Sequence, residues 1–338
     1  MPHRPTRLPA PFAQLGALWA RLHGRNTVRL PDKDTQAPLL SPEERAELWS
    51  LADTLPPLAP PNRLSARARQ GDQSSARIGN GTDFEQLRPW QTGDNSRHVD
   101  WRASARLGKL HVRTWRETRQ GRCHLFVDRG ASMRFGSRER LKVTQAARMA
   151  ALLAIAAWRQ GLTVSASVLD EAEGRFIEAR NRAELLELID TLCAPCPPDA
   201  GLMPTHWQPA LDALDARIEA GARLILFGDG LGPGAGAYQR LAQMARHHAL
   251  TAILIHDPLE QLLPEMGTVR VTDLHSAEEY IIDTRDAMQR AAYGEATAAR
   301  HRIWTERFTA MGVETLAFST EASLDQLPLQ LIFGSARP

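Results

Sequence analysis

The stretch "RCHLFVDRGASM", residues 122–133, decides the fold. Leu125, Phe126 and Val127 form an apolar run that stops on Asp128, and small residues follow at once: Gly130, Ala131 and Ser132. A short apolar run bounded by turn residues reads as a buried strand. A carboxylate at its exit followed by small, hydroxyl-bearing residues is what a loop folding around a polar ligand needs. The same grammar returns a hundred residues later in "ARLILFGDG", where the strand ends at Asp229-Gly230, and again in "LTAILIHDP".

Between and around these strands lie helical patterns. Residues 138–160 read as a helix, nearly apolar after Val143 and therefore buried. "LTVSASVLD" and "GRFIEA" are strands, and Arg182 to Leu192 is a helix. Trp207, Ala210, Leu211, Leu214 and Ile218 mark an amphipathic helix, and Asp286 to Met311 a long one before the strand "VETLAFS". Continuous apolar strands alternating with helices predict a doubly wound, mostly parallel α/β sheet covered on both faces. In such sheets ligands bind beyond the carboxyl ends of the strands, so Asp128 and Asp229 are expected to converge on one crevice. Two carboxylates with nearby hydroxyls suit a hard divalent cation such as Mg²⁺, which keeps several of its waters.

The segments before this sheet differ. Residues 1–62 read as an N-terminal helical arm: Ser41 with Glu44 three residues on forms a capping box for a helix through Ala52. The Pro-rich "LPPLAPPN" follows as a linker, and the arm as a whole reads as a tether. Residues 63–121 read as a β-rich insertion, with turns at "GNG" and "GDN" and a period-two strand at residues 110–115. Between Arg63 and Arg122 lie 13 Lys and Arg against 6 acidic residues, an excess of seven in a chain whose formal net charge is only +2. Trp90, Trp101 and Trp115, interleaved with these cations, read as core anchors rather than base-stacking platforms. Nucleic-acid binding through residues 63–122 is the weaker alternative.

Several chemistries lack their signatures. The chain has no Gly-rich phosphate loop and no nucleophile elbow. Three cysteines fit a reducing cytoplasm, and "CAPC", residues 193–196, follows a helix where a redox pair would precede one. No apolar run approaches the ~20 residues of a membrane helix, and no signal peptide is read.

Asp128-x-Gly130-x-Ser132, then Thr205, then Asp229-Gly230 resembles the metal-ion-dependent adhesion site of von Willebrand factor A domains. In that family the first motif is Asp-x-Ser-x-Ser, so Gly130 stands where a serine ligand belongs. Residues 81–117 resemble the signature of the family catalogued as domain of unknown function 58, through Gly81, Asp83, Phe84, Arg88, Trp90, Gly93, Asp94, Arg97, Asp100, Trp101 and Arg106. "HDPLEQLLPEMG" and "AEEYIIDT" extend the match, which spans residues 63–333. The resemblance implies a von Willebrand A-type sheet over residues 122–335 and no established catalytic activity. It also implies an adaptor role beside a MoxR-type AAA+ ATPase acting on a client protein. On this reading Asp128, Ser132, Thr205 and Asp229 hold the cation, and Asp229→Ala abolishes capture without disturbing the fold. Arg88, Asp94, Arg97, Asp100 and Arg106 either brace the insertion internally or receive an acidic partner loop. The alternative from another class is a metal-dependent hydrolase at the same crevice, with Asp257 as general base.

Overall fold

The structure is a computed structural model that describes residues 19–21, 37–55, 83–91, 99–116, 121–170, 174–196, 207–231, 233–272 and 279–327. The chain divides into two compact units, Arg67–Gln120 and the remainder.

In the larger unit, six strands form one sheet: β4 (Arg122–Asp128), β5 (Thr163–Leu169), β6 (Gly174–Ala179), β7 (Arg223–Gly228), β8 (Ala249–His256) and β11 (Glu314–Ser319). Their order is β11-β8-β7-β4-β5-β6. All neighbours are parallel except β5 and β6, which pair antiparallel at one edge. Counted along the chain this is the 3-2-1-4-5-6 doubly wound order with a reversed third strand, the von Willebrand A arrangement expected. The strand order reverses between β4 and β7, so the topological switch point lies between the two strands that end on Asp128 and Asp229.

Alternation along each strand sends neighbouring residues to opposite faces. Leu125, Val127, Ile225 and Phe227 join one core with α1 (Pro42–Thr54), α3 (Lys142–Arg159) and α4 (Arg182–Leu192). Phe126, Leu224 and Leu226 join another with α5 (Trp207–Asp215), α6 (Ala235–Met244) and α8 (Ala287–Ala310). Helix α3 is buried nearly all round, as its uninterrupted apolar run requires. Leu152, Leu153 and Ile155 are fully enclosed, each worth ~1.5–3 kcal/mol of transfer free energy.

Helix α1 forms where the capping box predicts. Ser41 Oγ accepts from the Glu44 N–H, and the Glu44 carboxylate accepts from the Ser41 N–H. Its role differs from the tether read in the sequence. Leu48 and Ala52 are buried in the α3 core, and Arg45 and Arg159 make ion pairs with Asp190 and Asp53. The helix is part of the domain because Leu48 and Ala52 enter that core, and with only two buried positions in a largely polar helix the sequence conceals it. The Pro-rich linker lies outside the described residues.

A small antiparallel sheet, β1 (Trp19–Arg21), β9 (Thr268–Thr272) and β10 (Glu279–Asp283), lies between β8 and α8 in the chain apart from β1. In the unit Arg67–Gln120, β2 (Asp83–Pro89) pairs antiparallel with β3 (His111–Arg116) around a bulge between Phe84 and Gln86. Between them α2 (Trp101–Leu107) starts at Asp100, whose carboxylate accepts from the Ala103 N–H at 2.9 Å, and stops at Gly108 in the left-handed region. Among the described residues no helix is long and apolar enough to cross a membrane.

Candidate functional site

Asp128 and Asp229 leave adjacent parallel strands at the switch point, and each is held by the same device. Asp128 Oδ1 accepts from the Gly130 N–H at 2.9 Å, and Asp229 Oδ1 accepts from the Leu231 N–H at 3.0 Å. A carboxylate that bonds the backbone two residues on turns the chain sharply, and each turn contains one glycine, Gly130 or Gly230. The two carboxylates are close enough for the charge of Asp229 to act on Asp128, and a Cβ placed on Gly228, the residue before Asp229, would lie 3.6 Å from that of Asp128. The convergence expected from the sequence is therefore present.

The surroundings treat the two carboxylates differently. Asp128 is buried, its Oδ2 and the Trp207 indole N–H are both without a hydrogen-bond partner of ordinary geometry, and Trp207 is near enough to favour the ionised carboxylate. Burial, and then the charge of Asp229, push the Asp128 carboxyl up to about 7. Burial acts on Asp229 in the same direction, but the Lys142 ammonium outweighs it and holds this carboxyl below its usual range. Ser132, on a short 3₁₀ turn at Ala131–Arg134, also helps hold Asp229 ionised.

Lys142, at the start of α3, is the residue that sequence reasoning missed. Its side chain is fully buried, and Nζ donates to Asp229 Oδ2 at 2.8 Å and to Glu260 Oε1 at 2.6 Å. Burial alone would lower its pKa; the two carboxylates reverse this and raise it. Glu260 belongs to α7 (Pro258–Gln261), where its other oxygen accepts from the Asp257 N–H in a capping box. Lys142 thus ties the start of α3 to the loops after β7 and β8. This corrects the expectation that Asp229→Ala leaves the fold intact, because that change strips a buried ammonium of one of its two counter-charges.

Asp257 is equally occupied. It accepts from the Ser137 N–H and hydroxyl, the Leu259 N–H and the Thr320 hydroxyl, and it is wholly buried. A carboxylate saturated with donors is a brace for the loops, which removes the general base that the hydrolase alternative requires.

A divalent cation fits this donor set in part. Asp128 Oδ2 is an unpartnered acceptor, the Ser132 hydroxyl is beside Asp229, and Asp229 retains a lone pair beyond its bonds to Lys142, Leu231 and Ser132. Gly130 offers only its backbone, and Thr205 lies outside the described residues. Among the described residues no group of three or more His, Cys, Asp or Glu is arranged around one ion. An ion bound here would keep much of its water, as Mg²⁺ does.

The residues expected to meet a partner in the basic unit are placed less fully. Asp100 is spent on capping α2, and Arg106 is exposed in the last turn of that helix. Arg88 stands in β2 opposite Val112, whereas Asp94 and Arg97 lie outside the described residues. Trp101 is 68% exposed and Trp90 37% exposed, so neither is the core anchor expected. Trp101 opens a helix of two turns whose inward position is taken by Ser104, which leaves the indole no interior to enter. Cys123, Cys193 and Cys196 are buried free thiols; burial pushes Cys193 up to about 11, far from a redox nucleophile.

The chain is 28% identical over 226 residues to an uncharacterized protein of Mycobacterium tuberculosis (strain ATCC 25618 / H37Rv), Rv1480. That alignment covers 66% of this chain and 71% of the relative. Among solved structures it is similar to a conserved hypothetical protein, BatB, from Bacteroides thetaiotaomicron, at 12% identity and a TM-score of 0.36 over 57% of this chain and 98% of that one. It is also similar to the SpRpn10 VWA domain, at 7% identity and a TM-score of 0.34 over 62% of this chain and 97% of that one. The assignment of the fold rests on the strand order itself. The family model described as "Protein of unknown function DUF58" matches residues 86–303, most of the chain, and the protein belongs to that family.

Proposed function

We propose that this protein is an interaction module whose docking point is the crevice between β4 and β7. In this reading a divalent cation, Mg²⁺, is held there by Asp128 and Ser132 directly and by Asp229 directly or through water. Thr205 is the proposed fourth member of the set. The observation that carries the reading is Asp128 Oδ2, a buried carboxylate oxygen with no partner at the switch point of the sheet. Charge supports it. Asp229 and Glu260 already outnumber the single positive charge of Lys142, and Asp128, half-ionised at pH 7, adds to the excess. A dication neutralises the remainder. When bound it supplies an open coordination position for an Asp or Glu of a partner.

The partners we propose are a MoxR-type AAA+ ATPase and a client protein, on the strength of the family resemblance. Arg88, Asp94, Arg97, Asp100 and Arg106 of the basic unit are proposed as a second contact for acidic loops, with Arg106 exposed as that role requires. The test is affinity purification from the native cell in Mg²⁺ and in EDTA, with wild type, Asp128→Ala and Ser132→Ala. Asp128 is preferred to Asp229 because it has no part in the Lys142 clamp. Capture that needs Mg²⁺ and is lost in Asp128→Ala supports the reading. Equal capture in Mg²⁺ and EDTA refutes the metal-bridged contact.

A further inference from the structure

At the opposite end of β4 from the crevice the sheet opens into a cavity of about 310 Å³, near the lower bound of the ~300–1,000 Å³ usual for small-ligand sites. Its floor is His124, four residues before Asp128 and so ~13 Å upstream at ~3.3 Å per residue. Phe176, Ile218 and Ala222 give it apolar walls, while Arg122, Glu178 and Arg217 supply charge.

The polar groups divide into those already engaged and those free. His124 is fixed at both nitrogens, Nδ1 to Ser165 Oγ at 2.8 Å and Nε2 to Ser167 Oγ at 3.0 Å, and its ring stacks on Phe176. Arg122 pairs with Glu178 and Glu219. The Arg217 guanidinium lies over the Phe176 ring, 5.0 Å from its centroid, with no carboxylate partner among the described residues. Arg122 is spent on its two carboxylates, so Arg217, standing beside an aromatic face, is the lining cation without an ion pair among the described residues.

A Ser–His pair facing a cavity raises the question of chemistry. Burial pushes the His124 imidazole down to about 3, far below the value a general base needs near neutral pH. Ser165 is therefore not activated by this imidazole.

We propose that this cavity binds a small organic monocarboxylate, with the carboxylate on Arg217 and the apolar body against Phe176 and Ile218. A guanidinium already stacked on an aromatic ring is pre-organised for a planar carboxylate. Arg217, with no ion pair among the described residues, offers one guanidinium for one carboxylate, whereas a phosphate dianion would bring a second charge toward Glu178 and Glu219.

Benzoate, benzamide and inorganic phosphate are the probes, applied to the full chain by saturation-transfer NMR and calorimetry. Benzoate is expected to bind saturably, and benzamide about tenfold more weakly or not at all, the size of a lost charged hydrogen bond. Arg217→Met is expected to weaken benzoate by about the same factor, and Arg217→Lys to retain part of the binding. Arg217 is exposed and has no ion-pair partner among the described residues, so both variants are expected to melt with wild type, which a thermal scan verifies. Benzamide binding as well as benzoate, unchanged affinity in Arg217→Met, or phosphate competing on equal terms each overturns the proposal.

Discussion

Lys142→Met tests the clamp beneath the crevice. Methionine keeps the length and apolar stem of the lysine and removes only the ammonium. Asp229 and Glu260, whose side chains are each 3% exposed, are then left without their shared counter-charge. Breaking a buried ion pair by deleting one partner costs about 3–5 kcal/mol, because the other partner stays desolvated and unpaired. Solvent screening gives little relief at this depth. In a chain of this size each kcal/mol moves Tm by ~2–4 °C, so the expected fall is ~6–20 °C. Circular-dichroism melts and urea titrations at pH 7 measure it. The combination Lys142→Met, Asp229→Asn, Glu260→Gln removes the stranded charges and is expected to recover a large part of the loss. Without the ammonium, burial raises the Asp229 carboxyl above the ordinary range, about 4, so the stranded acid takes up its proton at a higher pH and the gap between Lys142→Met and wild type narrows from there as pH falls. A fall of less than about 2 °C, or no recovery in the neutralised combination, refutes the reasoning that the ammonium is the central counter-ion.

Asp128→Asn is expected to leave the melting temperature in EDTA unchanged or higher, because it removes a charge that faces Asp229, and to abolish any rise in Tm produced by Mg²⁺; differential scanning fluorimetry with and without the ion reads both. His124 is buried and neutral, with a folded pKa of about 3 against 6.5 for the free side chain. The unfolded chain therefore binds more protons between those values, and stability drops as pH falls from about 6.5, by at most ~1.4 kcal/mol per unit. Urea midpoints at pH 7, 6 and 5 should show a shallower decline in His124→Asn than in wild type. Gly230 has φ +86° and a Cβ there would sit 2.8 Å from the Trp304 ring, whereas Gly161, at φ +73°, has open space around it. Gly230→Ala is expected to cost ~2–4 kcal/mol and Gly161→Ala about 1 kcal/mol, and equal costs in equilibrium unfolding would show that the Trp304 contact is not restrictive.

The parts of this site that were legible in the sequence are those fixed by local pattern. An apolar run that stops on Asp128, and another on Asp229, declare two strand ends, and parallel winding then brings the ends together. The signal for Asp257 and Glu260 was also local, since "DPLE" is a capping box, but it speaks for only one oxygen of Glu260. Lys142 was illegible as a site residue because a lysine in the first turn of a helix ordinarily points to water. The clue was its neighbours. Leu141, Lys142 and Val143 are consecutive and all buried, and a helix buried on every side has no solvent face for an ammonium. A cation in such a run must find anions, and Asp229 after β7 and Glu260 in the helix after β8 are the ones that meet the start of α3. The inference from a buried lysine to a carboxylate clamp was therefore available, but only once the helix was known to be enclosed, which is a property of the packed layers. The exposed Trp101 shows the converse. Its bulk suggested an anchor, yet a two-turn helix beginning at Asp100 gives it no interior, so side-chain size cannot report burial where the surrounding element is too short to enclose it.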